Sequence, residues 1–309
     1  MAGIGEDIRV FFRGELLLDE PMSRHTSLKV GGPAELFATP ADTDDLQQLL
    51  AWLRSRGLPW LVVGKGYNLL VRDGGIRGAV VSLERLDSLE LVGDGVVRAG
   101  AGADNLELVR FALEHGLGGI AFISGIPGTI GGAIRMNAGA YGEGILERVE
   151  RIVILRGGEV MEFCVEQLDY GYRRLDLQEG DVILGAAFRL EERDQAETEE
   201  AIRRDLELRR SKHNVGHPSA GSFFKNPPGQ AAWRLIDAAG LRGERVGGAQ
   251  VSTVHSNFLV NAGGATAGDF LRLAARVKEG VLGTTGILLE EEVRIVGEDC
   301  CHSECEVRG

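Results

Sequence analysis

SGIPGTIGGAIRMNAGAYG, residues 124–142, decides how the rest of the chain reads: six glycines and one proline lie in nineteen residues, directly after the apolar run GIAFI. Without Cβ atoms, Gly125, Gly128, Gly131 and Gly132 let the main chain turn tightly and bring its N–H groups against a ligand, a geometry suited to a pyrophosphate. Pro127 stiffens one turn, and Asn137 tolerates left-handed geometry. Taken alone, the same letters also describe a Gly-rich surface loop.

Around this stretch the chain has 309 residues, 44% of them hydrophobic, enough for roughly two or three domains with their own cores. A net charge of −12 and a pI near 5.1 argue against nucleic acid or an anionic membrane as a partner, since both reward a basic surface. Four cysteines, with Cys164 apart and three crowded near the end, make no disulfide framework and fit a reducing cytoplasm. In the tail DCCHSEC, adjacent Cys300 and Cys301 cannot easily ligate one tetrahedral ion, so no metal site is assigned and a disordered tail is expected. The early charge of MAGIGEDIRVFFRGELLLDE and the absence of any long apolar run predict neither an export signal nor a membrane span.

Residues 28–83 read as strand, helix, strand, turn, strand. LKVGG and AELFATP are expected to be extended, and DDLQQLLAWLRSRG places Leu46, Leu49, Leu50 and Leu53 on one helical stripe that stops at Gly57. LVV, a buried-strand candidate, runs into a turn rich in Gly and Asn. DNLELVRFALEHG predicts a helix with Leu106, Val109 and Leu113 inward, ending at Gly116. From Arg148 to Leu190 short apolar runs separated by turns suggest an antiparallel sheet, and ETEEAIRRDLELRRSK follows as a charged, solvated connector helix. A further unit begins near residue 214, with helices around AAWRLIDAAG and AGDFLRLAARVKEGVL flanking the extended HSNFLVN.

Four constellations carry chemistry. VGKGYNLLVRDGG, residues 63–75, is not a P-loop, because no G-K-[ST] follows at the required spacing and the sixth position of a G-x-G-x-x-G is Leu69. Two Gly-rich turns about sixty residues apart could nevertheless converge on one extended diphosphate, which suits a dinucleotide such as FAD. PSAGSFFKNP offers a hydroxyl, an ammonium and a carboxamide from Ser222, Lys225 and Asn226, without a G-x-S-x-G elbow; taken alone, Ser222 reads first as a helix cap or turn former. In LLEEEVRIVG, strand geometry would put Glu290 and Glu292 on one face and Glu291 on the other. LDYGYRRLD presents Arg173 and Arg174, suited to clamping a carboxylate bidentately or to surface ion pairs.

Together these motifs resemble the UDP-N-acetylenolpyruvoylglucosamine reductase family. HTSLKVGGPAE, VGKGYNLLVRDGG, SGIPGTIGGAIRMNAGAYG, YGYR, PSAGSFFKNPPG, LIDAAGLRG, GGAQVSTVHSNFLVN and LEEEVRIVG occur in the family's order, from about Ser23 to Gly297. The short spacing from Arg173 to Ser222 resembles the compact second type, which lacks an inserted substrate-covering segment. Tyr67 stands where the family usually has Ser in a Gly-Ser-Asn turn, which removes a small hydroxyl but not the backbone contacts.

The resemblance implies an α+β fold, a vanillyl-alcohol-oxidase-type (PCMH-type) two-part FAD-binding domain plus a smaller α/β substrate-binding domain. The expected division is 1–195 for FAD, in subdomains of about 20–83 and 84–195. A helical connector at 196–213, a substrate domain at 214–297 whose last strand returns to the FAD domain, and a tail at 298–309 complete it. It implies noncovalent FAD held by Gly64, Lys65, Gly66, Tyr67, Asn68, Leu69, Ser124, Gly125, Pro127, Gly128, Thr129, Gly131, Gly132 and Ala138. NADPH is the implied hydride donor, reducing FAD and leaving before the enolpyruvyl ether takes the same site. Arg173 and a protonated Glu292 would stabilise the enolate-like carboxylate, and Ser222 would donate the proton, assisted by Lys225. Lys225, Asn226, His255 and Asn257 are implied substrate contacts. The expected activity is NADPH-dependent reduction of UDP-N-acetylglucosamine enolpyruvate to UDP-N-acetylmuramate for peptidoglycan, by a cytoplasmic monomer or weak oligomer. Rival readings are a flavin oxidase on the same fold and a non-catalytic flavin- or sugar-nucleotide-binding regulator.

Overall fold

Asp42 accepts a hydrogen bond from Asp45 N at 2.9 Å and so starts a helix on the segment that the leucine spacing marks. The computed structural model describes residues 2–140, 142–213 and 215–300; the cysteine tail beyond Cys300 lies outside the described residues. Seven helices occur among them: α1 (Ala2–Arg9), α2 (Thr43–Ser55), α3 (Asn105–Glu114), α4 (Ile130–Arg135), α5 (Gln195–His213), α6 (Ala232–Ala238) and α7 (Ala267–Thr285). On α2, Leu46, Leu49, Leu50 and Leu53 are buried as one stripe.

By internal contacts the chain divides into two units. The first comprises the segments up to Leu18, Phe37–Lys65 and Ala79–Arg209; the second comprises Asp19–Leu36, Gly66–Gly78 and the chain from Arg210. In the first, a five-stranded antiparallel sheet runs in the order Glu159–Cys164, Val149–Arg156, Val182–Arg189, Val96–Gly100, Leu89–Leu91. Ile152, Ile154, Ala186 and Phe188 from this sheet share a buried core with Leu108 and Val109 of α3 and Ile130 and Ile134 of α4. In the second, Ser219–Ser222, Phe258–Asn261, Ala249–Val251 and Arg245–Val246 form a four-stranded antiparallel sheet. Its core joins Phe223, Phe224, Val251 and Leu259 to Leu235 of α6 and Phe270, Leu273 and Val277 of α7. Thr266 and Asp269 cap α7 reciprocally at 3.1 Å, and Asp73 accepts from Ala267 N and Gly268 N at 2.8 Å, so the first donors of this long helix are satisfied.

Three expectations need correction. LKVGG is not a strand: Lys29 adopts φ 58 and Thr26 Oγ1 donates to Val30 O at 2.8 Å, so the extended run begins only at Pro33. In LVV only Val63 is buried and Leu61 and Val62 are half-buried, because Trp60–Val63 is the edge of its sheet, paired on one side with Ile76–Ser82. The buried face of α3 is Asn105, Leu108, Val109 and Ala112, with Leu106 and Leu113 at its margin. Asn105 is turned inward to hold a carbonyl of the Gly-rich segment, and that contact sets the rotation of the helix.

Candidate active site

In the first unit the 3₁₀ turn Ala121–Ile123 delivers Ser124, whose Oγ is buried with no hydrogen-bond partner. Asn105 clamps the residues that follow: its Nδ2 donates to Ile126 O at 2.9 Å, and its main-chain N–H to Gly128 O at 3.2 Å. Thr129 caps α4, its Oγ1 accepting from Gly132 N at 3.4 Å. The N–H groups of Ile130 and Gly131 donate to Ala103 O and Ala101 O, each at 2.9 Å. Ile126 N is bonded to Ile123 O at 2.9 Å and Pro127 has no N–H, so the donors this turn can offer an anion are those of Gly125, Gly128 and Thr129. Gly131 has a different reason to lack a side chain: a Cβ there would lie 2.8 Å from Ala101 Cβ. Ala138 is likewise committed, its N–H to Ala133 O and its carbonyl to Ile145 N. Gly131, Gly132 and Ala138 thus support the segment rather than offer hydrogen bonds to a ligand.

Gly64 lies against this turn. A Cβ added to it would stand 2.5 Å from Thr129 Oγ1, so the two Gly-bearing turns do converge within this unit. Lys65 Nζ is held by Asp104 Oδ2 at 2.6 Å.

The YGYR turn belongs to the same unit. Arg173 has φ 54, lies 5.4 Å from the Tyr172 ring centroid and donates from Nη2 to Gly139 O at 3.2 Å. Arg174 is spent at the surface on Asp169, at 2.7 Å, and on Asp176. Of the two arginines, Arg173 alone turns back to the Gly-rich segment.

Ser222 lies in the second unit, at the end of a bulged strand. Ser219 pairs with Val260 and Ser222 with Phe258, so three steps on one strand match two on the other. Gly221, at φ 75, absorbs the extra residue, and such a bulge re-aims the following side chain. Phe223 and Phe224, both buried, then anchor the chain. Asn257 holds Phe224 from both sides, accepting from its N–H at 3.0 Å and donating to its carbonyl at 2.8 Å. Asn257 is buried and uses both ends of its amide on Phe224, so it shapes the Ser222 loop. Asn257→Ala is expected to leave two buried groups of Phe224 unpaired and to cost about 1–3 kcal/mol. An unchanged urea midpoint would contradict this.

The three glutamates are not an alternating strand. Glu291 makes one isolated bridge to Phe224, and the regular strand is Arg294–Val296. Main-chain bonds from Lys225 N to Glu290 O and from Glu292 N to Phe223 O, both 2.8 Å, lace the segment to the Ser222 loop. Glu290 is ion-paired with Lys225, and Glu291 with Lys278 at 2.9 Å. Lys225 is therefore already compensated, and Glu292 is the glutamate set against Phe223, next in sequence to Ser222.

Asn226 is exposed, and its Oδ1 accepts from Ala232 N at the start of α6 at 3.0 Å. His255 lies 4.8 Å from Phe258 and 6.3 Å from Trp233, centroid to centroid. Burial pushes its pKa below the usual histidine value, which keeps the ring neutral at pH 7. The second half of the Gly64 turn is structural: Asn68 Nδ2 donates to Glu292 O at 3.0 Å, and Asn68 O accepts from Arg294 N at 3.1 Å. Leu69 is buried in a parallel ladder in which Leu69–Val71 pairs with Arg294–Val296. Gly66 accepts from Ser27 N at 3.1 Å, and Tyr67 is exposed. Asn105 was missed in the sequence; a polar residue in the buried phase of an amphipathic helix was its only signal.

Among the described residues no helix is long and apolar enough to cross a membrane. A family model for an FAD binding domain matches residues 34–163. Another, for the C-terminal domain of UDP-N-acetylenolpyruvoylglucosamine reductase, matches residues 213–296. A UDP-N-acetylenolpyruvoylglucosamine reductase of Pelobacter propionicus is 70% identical over 287 residues, covering 93% of this chain and 97% of the relative. That of Geobacter metallireducens is 59% identical over 292 residues, 94% of this chain and 97% of its own. The crystal structure of UDP-N-acetylenolpyruvylglucosamine reductase from Thermus caldophilus superposes with a TM-score of 0.80 at 35% identity, covering 93% of this chain and all of the other. With such identity across nearly the whole of both chains, this protein belongs to the UDP-N-acetylenolpyruvoylglucosamine reductase family.

Proposed function

We propose that Arg173, Ser222 and Glu292 carry the chemistry of this family in the present chain, with FAD held by the turn from Ser124 to Thr129 and by the Gly64 turn. The chain is an FAD-containing, NADPH-dependent oxidoreductase that reduces UDP-N-acetylglucosamine enolpyruvate to UDP-N-acetylmuramate in peptidoglycan precursor synthesis. Neither an oxidase nor a non-catalytic regulator is favoured by its relatives. The fit to a dinucleotide rests on the buried, unpartnered Ser124 Oγ and on the approach of Gly64 to Thr129, which a side chain would fill. Ser124, Gly125, Pro127, Gly128 and Thr129 would line one side of the diphosphate, and Gly64, Lys65, Gly66 and Tyr67 would offer main chain.

When bound, FAD supplies hydride chemistry between NADPH and the vinyl carbon β to the substrate carboxylate. Hydride addition there pushes negative charge into the carboxylate, and a guanidinium is the group suited to hold it. Arg173 takes that role. Ser222 Oγ–H donates the proton to the adjacent α-carbon. Glu292 joins Arg173 at the carboxylate. The observation that carries the assignment is the main-chain bond from Glu292 N to Phe223 O at 2.8 Å, which fixes the chain beside Ser222 against Glu292. Lys225, Asn226 and His255 are the substrate contacts of the second unit in this reading, with Asn257 shaping the loop that carries Ser222.

We assign residues 1–195 to the FAD-binding part, 196–213 to the connector, 214–297 to the substrate domain with its last strand paired to Leu69–Val71, and 298–309 to the tail. The protein works in the cytoplasm as a monomer or weak oligomer. The purified protein should be yellow, and should oxidise NADPH slowly until the enolpyruvyl sugar nucleotide is added. Fast hydrogen peroxide formation without such stimulation would contradict the reading. Gly64→Val should fold but bind FAD about tenfold to 100-fold more weakly, the consequence of about 1–3 kcal/mol of overpacking against Thr129. Fluorescence titration of the apoprotein reads this, and wild-type affinity would remove Gly64 from the site.

A further inference from the structure

We propose that Asn137 is a positioning residue for Arg173. Asn137 lies just beyond α4 in the left-handed region, at φ 40. Its amide is used at both ends: Oδ1 accepts from Leu146 N at 3.2 Å, and Nδ2 donates to Gly171 O at 2.9 Å. Room for that amide depends on Gly144, where a Cβ would come within 2.7 Å of Asn137 Oδ1. Two further bonds tie the same two segments. Arg135 Nη1 donates to Leu175 O at 2.6 Å, and Arg173 Nη2 donates to Gly139 O at 3.2 Å.

The turn that carries Arg173 is thus strapped to the end of the Gly-rich segment before, at and after the arginine. The strapping has a purpose because Arg173 itself is left-handed, at φ 54, a conformation that an L-residue keeps only when its surroundings over-determine it. Asn137 is the strap whose side chain reaches Gly171, two residues from Arg173. It thereby couples the place of the guanidinium to the segment that fits the cofactor.

This inference rests on the role given to Arg173, and the experiment separates the two. In the full-length holoenzyme, Asn137→Gly keeps the left-handed backbone and loses the amide. Asn137→Asp keeps the shape and the acceptor for Leu146, but faces Gly171 O with an oxygen. Both should retain FAD, by absorbance, and retain flavin reduction by NADPH in stopped flow. Flavin reoxidation by the enolpyruvyl sugar nucleotide should slow about tenfold to 100-fold, the scale expected for a group displaced by about 1 Å. In the double variant Asn137→Gly/Arg173→Ala the rate should be no lower than in Arg173→Ala alone. Wild-type reoxidation in either Asn137 variant, equal slowing of both half-reactions, or multiplied losses in the double variant would overturn the inference. Wild-type reoxidation in Arg173→Ala would instead overturn the role of Arg173.

Discussion

Ser222→Ala is expected to leave flavin reduction by NADPH intact while reduction of the enolpyruvyl substrate falls by about 10²–10⁴, the usual worth of a positioned general acid. The reason to expect a chemical loss and not a folding loss is local. The backbone at Ser222 is set by the bulge at Gly221 and by the buried Phe223 and Phe224, and no hydrogen bond that holds the loop comes from the serine hydroxyl in the lacing described above. Removing Oγ therefore removes the proton and leaves the frame. NADPH needs no proton from Ser222 to give up its hydride, so the two half-reactions should separate in stopped flow. Equal falls in both would show that Ser222 is not the proton donor.

Arg173→Ala should lower turnover of the enolpyruvyl substrate by about 10²–10³, the cost of removing one preorganised group from a developing anion. The substrate also carries its carboxylate in the ground state, so KM should rise as well, but kcat should bear the larger part if charge grows during hydride addition. Arg173→Lys should recover only part of the rate, because an ammonium is a point charge without the planar fork of guanidinium. A rise in KM with unchanged kcat would reduce Arg173 to a binding contact.

What could be read from the sequence was what short-range chemistry enforces. The four leucines of α2, the glycine stop at Gly57 and the left-handed Asn137 follow from spacing and residue type within a few positions, and all are present. That the two glycine-rich turns come together, Gly64 against Thr129, was expected from two such turns that one diphosphate could span. Other positions depend on partners far along the chain. Asn257 reads as a polar residue suited to substrate until Phe224, 33 residues away, takes both ends of its amide. Asn226 looks like part of a reactive trio, yet its oxygen belongs to the first turn of α6. The three glutamates show why charge runs resist reading. Their side chains are sorted by Lys225 and Lys278, not by strand alternation, and neither lysine announces its partner in the sequence. The inward Asn105 is the reverse case, a residue whose burial makes sense only once Ile126 O is known to face it.

The parallel ladder between Leu69–Val71 and Arg294–Val296 also sets a timetable for synthesis. Asn68 and its partner Glu292 are 224 residues apart, and the second unit takes its early segments, Asp19–Leu36 and Gly66–Gly78, from far upstream of its main body. At ribosomal rates of about 5–20 residues per second, roughly 11–45 s separate the emergence of those partners. Throughout that interval the Leu69–Val71 strand has no ladder to join. The five-stranded sheet of the first unit, complete by Arg189, can form long before. Assembly of the nascent chain is thereby ordered, and a chaperone that shields residues 66–78 during translation would be expected to raise the yield of active protein more than one acting on the finished chain.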